Sequence, residues 1–184
     1  MDFQKLKIKN SYLITRKPFV DDRGYFSRTY CKKEYSSFLK NKIVQTSLSY
    51  NKSIHTLRGL HYQIKSSAED RVLHFIKGDC FTVIIDLRKN SKTYMQKIEL
   101  KVSSKKHNSI IVPKGCANGF LTLTKDTYII YQMTCGFSPD NYCGIRYDDP
   151  TFKIKWPYEP KVISQKDLNL PDYKIKKTFK KNHE

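Results

Sequence analysis

Apolar and polar residues alternate in short runs along most of the chain. Residues 95–102 show it best: Met95, Lys97, Glu99 and Lys101 fall on one side, and Ile98, Leu100 and Val102 on the other. That period of two predicts a half-buried strand. Weaker alternation at Leu6, Ile8, Tyr12 and Ile14 predicts an edge strand within residues 1–17. Further strands are predicted at 43–50, 57–63, 71–77, 109–112, 117–123 and 127–134. Residues 80–87, CFTVIIDL, are β-branched and apolar enough to be buried on at least one face. Turn residues separate these runs, as at Gly78-Asp79, Pro113-Lys114-Gly115 and Ser138-Pro139-Asp140-Asn141. Residues 32–40 predict a short helix with Tyr35, Phe38 and Leu39 on one side, and the polar stretch from Ser164 reads as loosely helical. A basic tail is expected from about residue 174. Many short strands with little helix imply one all-β domain over residues 1–184, a sandwich or barrel. Periodicity alone leaves a jelly roll and an immunoglobulin-like sandwich equally open.

Composition narrows the class. A chain of 184 residues with 39% hydrophobic residues can bury a core of its own. No apolar run approaches the ~18 residues of a membrane span. Met1-Asp2-Phe3-Gln4 does not open a signal peptide, so a cytoplasmic protein without membrane contact is expected. Five cysteines, an odd number with no CxxC, argue against a disulfide framework and a zinc ribbon. The net charge of +18 attracts anions, with nucleic acid and nucleotide-linked small molecules as candidates. The lysines are spread along the chain, which favours a solvated surface over a nucleic-acid stripe. His55 and His61 are six apart with no acid between them, and His74 and His107 lie in unmatched contexts. No metal site is therefore expected.

Candidate chemistry concentrates in 56–63, TLRGLHYQ. Arg58 and His61 are three apart, so a regular strand would send them to opposite faces. Gly59 between them invites a bulge, which would re-aim one of them until a cation and an imidazole converge. Other polar residues interrupt apolar runs at Arg23, Gln45, Arg71, Asn118, Tyr131 and Asp167. Each has a structural alternative. Tyr131 fits a core residue with its hydroxyl tied to a carbonyl, and Arg71 fits a surface pair with Glu69 or Asp70. Asp167 fits a helix cap, and Asn118 fits a turn.

Six blocks occur in one order: FVDDRGYF (19–26), LRGLHYQ (57–63), DLRKNSKTY (86–94), VPKGCANGF (112–120), DDP…IKWP (148–157) and SQKDLNLP (164–171). In these blocks the chain resembles the dTDP-4-keto-6-deoxyglucose 3,5-epimerases, from about Phe19 to Pro171. The resemblance implies a cupin-type jelly roll, a homodimer, and cofactor-independent inversion of C3 and/or C5 of a nucleotide-linked 4-keto-6-deoxy sugar, in the service of bacterial surface polysaccharide. It implies His61 as general base, Asp167 as its orienting partner and Tyr131 as the proton donor on the other face of the sugar. It implies that Arg71 polarises the keto oxygen, and that Arg58, with Arg23 from the partner subunit, holds the diphosphate. Gln45 and Phe26 match positions that line the pocket. Four departures cluster on recognition: Arg71 stands for lysine, Asn118 for histidine, Arg28 for a glutamate that helps read the base, and Cys143 for another usual glutamate. They leave open a single-centre epimerase acting on a CDP- or GDP-linked 4-keto-deoxy sugar, a related 3,4-ketoisomerase, and a homologue that binds a nucleotide sugar without turning it over.

Overall fold

A computed structural model describes residues 1–174 of the chain, and the rest of the basic tail lies outside the described residues. The strands are β1 (Asp2–Lys5), β2 (Tyr12–Thr15), β3 (Phe19–Asp21), β4 (Gly24–Phe26), β5 (Gln45–Asn51), β6 (Leu57–Gln63), β7 (Arg71–Lys77), β8 (Asp79–Asp86), β9 (Lys97–Ser103), β10 (Asn108–Val112), β11 (Cys116–Thr122), β12 (Thr127–Met133) and β13 (Tyr142–Gly144). They form a six-stranded sheet ordered β1-β2-β10-β7-β12-β5 and a five-stranded sheet ordered β13-β6-β11-β8-β9. The β3–β4 hairpin stands apart from both.

The two sheets face each other across a shared core. Leu73, Phe75, Ile110, Val112 and Ile129 of the first meet Cys80, Ile84, Val102, Cys116 and Phe120 of the second. β8 is apolar on both faces because both are covered. Cys80 and Ile84 point into the sandwich, while Val83 and Ile85 pack outside against Ile145 and Phe152 of the C-terminal segment. That segment is irregular, yet it serves as the outer layer of the five-stranded sheet.

The 32–40 helix shortens to one turn, α1 (Lys32–Tyr35). Its Cys31 cap makes no side-chain hydrogen bond, and Ser36 and Ser37 follow. Both weaken a helix. Tyr35 and Leu39 still reach the core, where they cover Ile14, Val72 and Ile111. β13 was not predicted from the sequence, because three residues are too few to show a period.

The sheets part company at one end of the sandwich. There the inward face of β5 carries Gln45, Ser47 and Ser49, while Leu48 and Tyr50 point outward. An edge strand with polar residues inward and apolar residues outward inverts the usual pattern of a sandwich. The polar face lines a cavity.

Candidate active site

The cavity holds about 430 Å³ between β5, β12 and β7 on one wall and β13, β6 and β11 on the other. That volume lies in the range of small-molecule sites. Arg58, His61 and Asn118 come from the five-stranded sheet, and Gln45, Arg71 and Tyr131 from the six-stranded one.

The bulge expected at Gly59 is present, and it explains the convergence. His61 pairs with Asn118 and Arg58 with Phe120, so three steps along β6 match two along β11. The extra residue turns Arg58 and His61 onto the same face. Gly59 has φ +113°, and a Cβ there would lie 2.7 Å from Gly119 Cα and 2.8 Å from Asn118 O. Only glycine fits that approach.

Asp167 arrives from far along the sequence. Leu57 N–H donates to Val162 O at 2.8 Å, which ties the C-terminal segment to the start of β6. A single helical turn follows, α2 (Gln165–Leu168). Ser164 caps it, its hydroxyl accepting from Asp167 N–H at 3.1 Å, so Ser164 and not Asp167 is the cap. Leu170 then rests against Gly144, where a Cβ would meet its methyl at 2.5 Å. The Asp167 side chain is thereby free to reach β6. Its Oδ1 lies 2.7 Å from His61 Nε2, and its Oδ2 accepts from Gly59 N–H at 3.1 Å. Burial pushes the Asp167 carboxyl up, but the His61 hydrogen bond and charge, the Gly59 N–H and Arg58 outweigh it and hold the group below the ordinary aspartate value. An ionised carboxylate only accepts, so the imidazole proton sits on Nε2 and the lone pair on Nδ1.

Tyr131 projects from β12 on the facing wall, packed against the core cluster. Its hydroxyl meets no carbonyl among the described residues, contrary to the core reading. Burial raises its phenol well above the ordinary value, with Arg71 opposing the shift, so it is protonated at neutral pH. Arg58 is braced by Asn51 Oδ1 at 2.7 Å and Tyr50 O at 3.3 Å. Gln45 spends its amide on Ser47 Oγ at 3.2 Å and on Phe137 N–H at 2.9 Å, which fixes the loop above the cavity. Asn118 is no turn residue. It sits mid-strand, buried, with Nδ2 donating to Thr82 Oγ1 at 3.1 Å and Val83 O at 2.9 Å.

Arg71 does pair with Glu69, at 3.3 Å, but inside the protein and not on its surface: the side chains are 8% and 3% exposed. In this extended stretch residues two apart share a face. That spacing was the available signal for a buried pair. Sequence reasoning missed Glu69, Phe137, Tyr142 and Lys166, all of which line the cavity. The Tyr142 ring lies 5.0 Å from the His61 ring, and Lys166 Nζ lies 4.5 Å from the centroid of the Tyr142 ring. Arg23, Phe26 and Arg28 are not brought to this cavity within one chain. Arg23 is paired with Asp21 at 2.6 Å and its side chain is 90% exposed, Phe26 is exposed, and Arg28 pairs with Glu34 at 3.2 Å.

Comparison with known proteins agrees with this geometry. Residues 5–174 match the family profile described as dTDP-4-dehydrorhamnose 3,5-epimerase. A Sinorhizobium fredii protein of that name is 35% identical over 173 residues, covering 93% of this chain and 89% of the relative. A Bacillus anthracis dTDP-4-dehydrorhamnose 3,5-epimerase solved with TDP and PPi bound superposes with TM-score 0.89 at 32% identity, covering 94% of this chain and 99% of that one. A Legionella pneumophila 3,5-epimerase in complex with dTDP-4-keto-L-rhamnose gives TM-score 0.85 at 29% identity, over 95% and 99% of the two chains. The sandwich is thus the cupin-like jelly roll of these enzymes. With its fold and nearly its whole length in common with them, the chain belongs to the dTDP-4-dehydrorhamnose 3,5-epimerase family.

Proposed function

We propose that this cavity epimerises a dTDP-linked 4-keto-6-deoxy sugar without a cofactor. The observation that carries the reading is the His61–Asp167 pair at 2.7 Å on one wall with the Tyr131 phenol on the other. A C–H beside a ketone is acidic because its anion spreads onto oxygen. His61 Nδ1 takes that proton, and Asp167 stabilises the imidazolium that forms. The enolate oxygen is stabilised by the Arg71 guanidinium. Tyr131 then gives its proton to the opposite face of the same carbon, which inverts the centre. Arg58, held at the cavity edge, takes the diphosphate, and the charge of +18 steers it there. The nucleotides named for the Bacillus and Legionella relatives support dTDP as the carrier.

The active form is a homodimer in this reading. Phe19 and Phe26 of the β3–β4 hairpin are 77% and 74% exposed, and Val44 just before β5 and Leu48 and Tyr50 on it are exposed as well. Exposed apolar surface of this kind fits a subunit interface. A partner's hairpin seated there would bring Arg23 and Phe26 to the cavity mouth, with Arg28 close behind. Mixing R23A and H61N chains then restores activity, because one mixed site receives both intact residues. No recovery on mixing would place Arg23 in its own chain's site or outside the mechanism.

The test of substrate is a panel of dTDP-, CDP- and GDP-linked 4-keto-6-deoxy sugars, with products read by NMR. An inverted C3 or C5 is expected from the dTDP donor. Inversion only of another donor would move the carrier, and no inversion of any donor would remove the activity.

A further inference from the structure

We propose that Glu69 is a positioning residue for Arg71: its buried carboxylate sets the plane of the guanidinium, so that the edge left over faces the reacting keto oxygen. The inference rests on the reading of Arg71 as the partner of that oxygen. Arg71 has five N–H bonds in a rigid fork, of whose three nitrogens the protein hydrogen-bonds one and sets a second against a carboxylate. Nη2 donates to His61 O at 2.9 Å and to Cys116 O at 3.1 Å. Nε lies 3.3 Å from Glu69 Oε1 as an ion pair, without hydrogen-bond alignment, and has no hydrogen-bond partner among the described residues. That leaves Nη1 as the edge with no protein acceptor, in a residue that lines the cavity.

Glu69 is itself held from the other side. Its Oε2 accepts from Gln63 Nε2 at 2.7 Å, and Gln63 is anchored in turn by Ser67 O at 3.0 Å, Gly136 O at 3.2 Å and Ser138 N–H at 2.7 Å. The carboxylate therefore accepts from a fixed amide at one end and faces the guanidinium as an ion pair at the other. Burial holds its pKa above the ordinary glutamate value, with Arg71 and the Gln63 hydrogen bond opposing that in part. A carboxylate is needed here for a geometric reason. A glutamine would set an NH₂ group against either Gln63 Nε2 or Arg71 Nε, since an amide accepts at one end only. Arg71 would turn, and its free edge would leave the keto oxygen. An arginine needs this orientation more than a lysine does, because a single rotating ammonium has no plane to fix.

The substitution E69Q tests it with two readouts. Turnover should fall at least tenfold with nucleotide affinity unchanged within twofold, since the diphosphate is held elsewhere. In the R71K background the same substitution should cost less than threefold, a coupling that a purely structural role would not show. A crystal structure of E69Q should show the Arg71 guanidinium rotated away from its place in the unaltered protein. Turnover in E69Q within twofold of the parent, an equal loss in both backgrounds, or an unmoved Arg71 overturns the proposal. Should the unaltered protein turn over no 4-keto sugar, the functional reading fails, and the position of Arg71 in E69Q alone decides this inference.

Discussion

The substitution H61N is expected to lower turnover of the 4-keto sugar by about 10³-fold while nucleotide binding stays close to the parent's. Positioned general bases contribute on the order of 10²–10⁴ in rate. Asparagine is close to the imidazole in bulk, and its NH₂ can still donate to Asp167, so the Gly59 bulge and α2 keep their anchor. What disappears is the lone pair at Nδ1, because an amide has no comparable basicity. The expected loss is therefore in kcat and not in affinity, since Arg58 and its Asn51 and Tyr50 braces are untouched. Steady-state kinetics with a binding titration of dTDP separate the two. An H61N protein that keeps more than a tenth of parental turnover would place the base elsewhere.

The second large effect has a different signature. The substitution Y131F should cut formation of inverted product by at least about 10²-fold, in the range that a positioned acid contributes, yet leave hydrogen exchange alive. His61 can still remove the proton, trade it with solvent and return deuterium to the face it came from. The starting sugar should then gain label in deuterated water with its configuration retained. That split follows from placing base and acid on different sheets, His61 on β6 and Tyr131 on β12. Burial holds the phenol protonated, so its loss removes a ready donor and not a standing charge. NMR of recovered substrate and of product in the same tube gives both rates. Loss of exchange together with inversion, or no loss of either, would contradict the two-wall arrangement.

How far the sequence reaches differs from element to element, for physical reasons. The 57–63 and 71–77 runs become β6 and β7 with those bounds, because apolar residues recur in each and polar or turn residues bracket them. The Gly59 bulge was legible because only a break in the period of two lets Arg58 and His61 meet. Asp167 was legible as a partner of His61 only through resemblance, since a separation of 106 positions carries no local signal of contact. Tyr142 was not legible at all. It sits on a three-residue strand whose register, Tyr142 opposite Gln63, exists only once β6 is in place. Arg71 misled for a related reason. A Glu-x-Arg pair next to a turn reads as surface charge, and burial of both side chains depends on the loop through Gln63 and Gly136 that closes over them. The residues on the β3–β4 hairpin are not brought to the cavity by one chain, so nothing local to the hairpin shows what Arg23 and Phe26 meet.

The proposed reaction needs a sugar ring held between two walls, one that takes a proton and one that gives it. The measurement that reaches this most directly is a crystal structure with an unreactive dTDP-linked deoxy sugar bound. It should place C3 or C5 within about 3.5 Å of His61 Nδ1 on one face, a distance fit for reaction, and direct the Tyr131 hydroxyl at the other face of that carbon. A sugar with both groups on the same face, or bound where neither reaches the ring, would contradict it.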